Sequence, residues 1–220
     1  NRRTREFKWY LAGQGRNSIS HSNVKALYYD PAKEIIWIGT HLGGLNKLDI
    51  RTGTFTHYLM EEGNPETLPS NIVRDIAPYQ DQLIVATQNG VCLFNPQTGK
   101  CQQLFKDSKE GRKIAMVADV EVDNSGTLWI AATGEGIFSY RFDTNKLTNY
   151  RHDGTQAHSL SNNNVNNIMQ DSKGNLWFST SGSGLDLYRS ATNDFENFDK
   201  GKNLSVIAFT IHKNLPSAVN

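Results

Sequence analysis

Four short frames in this 220-residue chain carry the side chains best suited to hydrogen-bond chemistry: Thr40-His-Leu-Gly43, Thr87-Gln-Asn-Gly90, Thr133-Gly-Glu-Gly136 and Thr180-Ser-Gly-Ser-Gly184. The flanking Thr and Gly persist while the tips change, as expected where a fixed backbone displays variable groups. His41, Gln88, Asn89 and Glu135 offer the donors and acceptors that bond sugar hydroxyls. Segments further upstream add Arg16, Asn17, His21, His158 and Asn163. The candidate ligand-binding set is therefore Arg16, His21, His41, Gln88, Asn89, Glu135, His158 and Asn163. Tyr79 or Trp9 could supply an aromatic platform for a sugar face, although Trp9 shares its stretch with Phe7 and Tyr10, where packing explains it equally well.

Catalytic patterns are missing. The chain has no Gly-x-Ser-x-Gly elbow, no His-Glu-x-x-His and no Walker-type loop. Glu135 and Asp186 could be offered as the two carboxylates of a glycoside hydrolase. Each falls where the other copies of its frame carry no acid, and nothing fixes a separation between them, so no catalytic residue is assigned. Asp123-Asn-Ser-Gly126 and Asp171-Ser-Lys-Gly174 are acidic loops, yet they lack the ligand count and distal Glu of a calcium loop. No metal or cofactor is expected. Cys92 and Cys101 stand nine residues apart across an expected hairpin, and both a bridge and two free thiols are open.

The elements that must hold these frames are read from their period. Trp37, Ile84, Trp129 and Trp177 recur every 45 to 48 residues, and the aromatics Tyr58, Phe105, Tyr150 and Phe198 keep the same step. Two anchors in step mean that whole blocks repeat. Within the first block, 24–29, 35–40, 44–49 and 55–60 are short runs rich in β-branched and aromatic residues between turn signals. Turns ending in Gly53, Gly99, Asn145 and Asn193 place at each corner a residue that readily takes positive φ. The fold class is all-β, a β-propeller segment of four-stranded antiparallel blades, with about four complete blades plus partial blades at each end. In a propeller the loops joining second to third strands, and those leading from blade to blade, gather on one face around the central channel, which brings the candidate set together. Trp37, Trp129 and Trp177 are expected to pack between blades. Asn23, Asn71 and Asn164 are expected to cap inner-strand backbone groups.

The expected divisions are 1–16 for the last strand of a preceding blade and a linker, 17–60, 61–107, 108–152 and 153–200 for blades one to four, and 201–220 for the start of a following blade. A fragment of a larger ring accounts for the partial blades; closure of four blades alone is the alternative. Net charge is +1, with 23 Lys and Arg against 22 Asp and Glu. There is no basic block of the kind that binds nucleic acid or anionic membrane, and no run of transmembrane length.

Leu68-Pro-Ser-Asn-Ile-Val73, Leu160-Ser-Asn-Asn-Asn-Val165, Asp171-Ser-Lys-Gly-Asn-Leu-Trp-Phe-Ser-Thr180 and Gly43-Gly-Leu-Asn46 resemble the two-component regulator propeller repeat. The likeness is strong in blades one and four. Blade two departs with Ile84 and the shortened turn Gln80-Asp-Gln82, and blade three with Lys113-Ile-Ala-Met116 in place of the Leu-Ser-Asn lead-in. The resemblance implies the periplasmic sensor region of a bacterial hybrid two-component system, which recognises oligosaccharides, acts as a homodimer and signals to a histidine kinase outside this sequence. Recognition without catalysis is the function it implies. A protein-interaction scaffold is the second reading, and a glycan-active enzyme the third.

Overall fold

The computed structural model describes residues 7–13, 15 and 17–198. Among these residues sixteen strands form four antiparallel sheets of four. Blade one holds β1 (Val24–Asp30), β2 (Ile35–Thr40), β3 (Leu45–Asp49) and β4 (Thr54–Tyr58); blade two holds β5 (Val73–Tyr79), β6 (Gln82–Thr87), β7 (Gly90–Phe94) and β8 (Cys101–Gln103). Blade three holds β9 (Val117–Val122), β10 (Thr127–Ala132), β11 (Gly136–Arg141) and β12 (Lys146–Tyr150); blade four holds β13 (Val165–Gln170), β14 (Leu176–Thr180), β15 (Gly184–Arg189) and β16 (Asp194–Phe198). The inner strands β1, β5, β9 and β13 stand side by side in that order. This is the β-propeller architecture the repeat predicts.

The core lies between blades. A blade has two apolar faces and can bury neither alone, so each second strand is apolar on both sides; β10 is buried at all six positions. One cluster joins Trp37 and Leu45 of blade one to Val73, Val85 and Phe94 of blade two. The next joins Ile84 and Ala86 to Val120, Ile130 and Phe138. The third joins Trp129 and Ile137 to Ile168, Phe178 and Phe195. Trp37 and Trp129 thus face the following blade, as expected, and Ile84 takes their position at the junction of blades two and three. The closing aromatics reach the same way: Tyr58 meets Phe94 edge-on at 4.8 Å, and the Tyr150 hydroxyl donates to Asn193 Oδ1 at 2.7 Å.

Asn145 and Asn193 have φ of +53° and +56°, as their turns require. The outer edges are covered by the lead-in segments: Cys101 N–H donates to the Glu66 carbonyl at 2.7 Å and Phe195 N–H to that of His158 at 2.9 Å. Such cover removes a free strand edge.

Residues 7–11 form no strand. The last strand of a preceding blade, expected within 1–16, is thus not formed over residues 7–11. Instead Tyr10 packs edge-on against Phe55 at 5.3 Å, and with Ile19 it covers Ile38 and Leu48 on the outer face of blade one. The following blade expected over 201–220 lies outside the described residues. The two cysteines are free thiols, with Cys92 Sγ donating to Cys101 Sγ at 3.1 Å. Burial pushes the Cys92 thiol well up.

Candidate functional site

The loop face is built by two sets of backbone latches. Within each blade, the residue after the second strand donates to the lead-in loop: His41 N–H to the Asn23 carbonyl (2.8 Å), Gln88 to Ile72 (2.9 Å), Thr133 to Met116 (2.8 Å) and Ser181 to Asn164 (2.8 Å). Between blades, the glycine that opens the third strand of blades one to three donates forward: Gly44 N–H to the Asn71 carbonyl (2.9 Å), Gly90 to Ala115 (2.9 Å) and Gly136 to Asn163 (3.0 Å). Loop tips and lead-ins therefore share one face because their backbones are bonded to each other. The framing Thr closes the turn: Thr40, Thr87 and Thr180 donate Oγ1–H to the carbonyls of Gly44, Gly90 and Gly184.

The latches also set the register of the asparagines. Asn23 and Asn164 are equivalents, whereas Asn71 is the equivalent of Asn163. Asn71 Oδ1 accepts Met60 N–H at 2.7 Å and Asn163 Oδ1 accepts His152 N–H at 2.8 Å. Both side chains cap the chain as it leaves the preceding blade, so Asn163 performs a structural task besides any ligand contact.

The structure brings several candidate residues together at blades one and two. The His21 and His41 rings lie 6.4 Å apart. His41 forms a bridge with Ile72, whose carbonyl holds Gln88. His41 Nδ1 is buried and unpartnered, while Gln88 and Asn89 are exposed. Asn89 Nδ2 lies 3.4 Å from the Pro69 carbonyl. Glu135 is engaged by Arg151, whose guanidinium also reaches the Gly134 carbonyl at 3.3 Å. His158 lies apart, at the outer edge beside β16. Arg16 lies outside the described residues. Tyr79 is away from the loop face as well: it ends β5 at the opposite side, stacked on Phe142 at 4.2 Å beside a 400 Å³ cleft among the hairpin turns. Trp9 is 82% exposed.

The carboxylate pair Glu135 and Asp186 does not form an open catalytic site. Asp186 is fully buried, and it accepts from Ser161 N–H (3.0 Å), Ser161 Oγ (2.9 Å) and Asn197 Nδ2 (2.7 Å). Burial pushes its carboxyl up, and these three donors oppose that shift. Asn46 occupies the same place in blade one, accepting Ser20 N–H at 2.9 Å. In blade two Pro69 has no N–H to offer, and Cys92 stands there instead. Among the described residues no three His, Cys, Asp or Glu side chains converge to hold a metal ion.

Two carboxylates went unread in the sequence. Asp75 Oδ2 accepts Val120 N–H at 3.2 Å, and Asp119 Oδ2 accepts Ile168 N–H at 2.6 Å. Each ties an inner strand to the next one around the channel. In β5 the carboxylate stands beside a bulge between Val73 and Asp75, an irregularity invisible in residue type alone.

The family model of the SMP-30/Gluconolactonase/LRE-like region matches residues 26–155, more than half of the chain, and that of the two component regulator propeller matches residues 159–182. No curated protein matches it. Similar solved structures include one described as the extracellular domain of a hybrid two component system from B. thetaiotaomicron, at 24% identity and TM-score 0.72, covering 85% of this chain and 25% of that one. Others are a virginiamycin B lyase from Staphylococcus aureus (14%, TM-score 0.60, 81% of this chain and 56% of that one) and an auxiliary nutrient binding protein from Bacteroides thetaiotaomicron (12%, TM-score 0.58, 80% and 40%). These likenesses establish the fold. The chain spans a quarter of the length of the first.

Proposed function

We propose, for a chain that belongs to the SMP-30/gluconolactonase/LRE-like family and carries a two-component regulator propeller repeat in its fourth blade, that it is the ligand-sensing propeller of an extracytoplasmic receptor in a hybrid two-component system. Its ligand is an oligosaccharide held on the loop face. The whole receptor is a homodimer that passes the signal to a histidine kinase outside this chain. The observation that carries this reading is the latched loop face itself: identical backbone bonds in every blade display tips that differ, with Gln88 and Asn89 open to solvent and His41 Nδ1 unpartnered. A preformed scaffold of this kind spends little ordering entropy on binding. Signalling then requires that the ligand bind one arrangement of the dimer better than the other.

Calorimetric titration of the chain with a panel of oligosaccharides tests the reading. One saccharide class is expected to bind, and Gln88→Ala or His41→Ala to weaken it about tenfold, or about 1.4 kcal/mol. A panel that gives no binding contradicts a saccharide sensor and favours a protein-interaction scaffold. The family name includes a gluconolactonase, which gives the enzyme reading its footing. Turnover of a panel member that is lost in Glu135→Gln would favour it, against the burial of Asp186 and the ion pair on Glu135.

A further inference from the structure

The loop face is not uniform. At the junction of blades two and three it opens into a 260 Å³ cleft lined by Asn89, Gln103, Lys106, Arg112 and Ala115, over a floor that includes Ile114. The cause is the lead-in to blade three, where a single 3-10 turn at Gly111–Lys113 replaces the Leu-Pro-Ser-Asn pattern. That lead-in is braced by its own bonds. Ser108 Oγ accepts Gly111 N–H at 2.8 Å and donates to the Phe105 carbonyl at 3.1 Å. A Cβ on Gly111 would stand 1.7 Å from the same carbonyl oxygen, so only glycine permits this crossing. Lys106 and Arg112 are thereby presented from a fixed loop.

Charge is the second observation. Residues 105–113, Phe-Lys-Asp-Ser-Lys-Glu-Gly-Arg-Lys, carry four cations against two carboxylates. None of the ion pairs among the described residues engages Lys106 or Arg112. Two cations at one cleft, with amides of Asn89 and Gln103 beside them, form a positively charged recess with hydrogen-bond donors and acceptors at its rim. A guanidinium grips a planar carboxylate or a sulfate through paired N–H donors, and an ammonium adds a point charge.

We infer that this cleft receives the acidic group of a charged oligosaccharide, a carboxylate or a sulfate, with Lys106 and Arg112 as its counter-charges and Asn89 and Gln103 bonding neighbouring hydroxyls. The inference rests on the oligosaccharide reading above and narrows its ligand class. The cleft is smaller than the roughly 300–1,000 Å³ that drug-sized ligands occupy. It therefore holds one charged sugar residue and leaves the rest of the saccharide to run across the loop face toward Gln88 and His41.

The test compares uronate-bearing, sulfated and neutral oligosaccharides of equal length, titrated into the wild-type chain, the Lys106→Gln/Arg112→Gln double variant and a Lys109→Gln/Lys113→Gln control that removes the same charge outside the cleft lining. Acidic saccharides of either kind are expected to bind the wild type, to weaken at least tenfold in the double variant with a flatter salt dependence, and to keep their affinity in the control. Equal weakening in both variants would overturn the cleft in favour of general charge. Binding of neutral saccharides alone would overturn the acidic ligand while leaving the sensor reading in place, and no binding by any member would remove both.

Discussion

Asp123 and Asp171 each do two jobs with one carboxylate. Oδ1 of Asp171 accepts the N–H groups of Lys173 and Asn175, both at 2.9 Å, and Oδ2 accepts the Trp177 indole N–H at 3.1 Å; Asp123 holds Trp129 in the same way at 2.8 Å. The Asn175 side-chain amide, which donates Nδ2–H to Oδ2 at 2.8 Å, comes first, and with the Trp177 bond and the two backbone bonds it holds the Asp171 carboxyl down at about 2. Its unfolded value is about 3.9. The depressed folded value means that its stabilisation is complete above pH 4 and is lost as pH falls through about 2. Asp171→Ala is expected to melt at a lower temperature than the wild type at pH 6, and the gap is expected to narrow at pH 2; thermal melts at both values check this. A second residue-scale expectation concerns Cys92. Its buried thiol is expected to resist a maleimide in the native protein under reducing conditions and to react once the chain is unfolded in urea, as followed by mass. The sequence let the aspartates be read as turn formers, but the grip on the tryptophan needs the register of the strands.

At the scale of the element, the turns that open the third strands of blades one and three leave no room for a side chain. Gly136 has φ +82°, and a Cβ there would stand 2.2 Å from the Tyr150 carbonyl oxygen; Gly126 has φ +81° with nothing within 4 Å. Gly126→Ala is expected to cost about 1–2 kcal/mol from backbone strain alone. Gly136→Ala should exceed it by more than 1 kcal/mol, because the close approach is added, and urea midpoints would separate the two. Blade two offers the reverse test. Ile84 is fully buried where other blades carry Trp, and its hairpin is cut to Gln80–Asp81. Ile84→Trp, though it restores the repeat, is expected to destabilise by about 1–3 kcal/mol through overpacking. The period, the strands and the turn residues were legible because each recurs in type. The Asp75 and Asp119 ties were not, because the bulge recurs in every inner strand while the residue beside it changes from Ala26 to Asp75, Asp119 and Asn167, and neither was the Lys106–Arg112 cleft, which comes from a lead-in peculiar to blade three.

At the scale of the whole molecule, the outer face of blade one is only partly covered among the described residues. Leu27 and Ile38 pair across β1 and β2, yet Leu27 is 61% exposed and Ile38 is 6% exposed beneath Tyr10 and Ile19. Ile38→Ala is expected to cost about 2–5 kcal/mol, whereas Leu27→Ala stays within roughly 0.5 kcal/mol. The candidate set, read as one group in the sequence, divides in space. His21, His41, Gln88 and Asn89 lie at blades one and two, Glu135 and Asn163 sit farther round on the same latched face, and His158 stands at an outer edge. Topology could place loops on a face, but not tell which loop turns outward along the last strand. A ligand on the loop face would shield the tips and lead-ins from solvent. Hydrogen–deuterium exchange of the chain, with and without a saturating oligosaccharide from the panel, reads this directly. Protection at 40–44, 87–91 and 111–116 is the expected result. Protection confined to the opposite hairpins, at 80–82, 123–127 and 171–175, would contradict it.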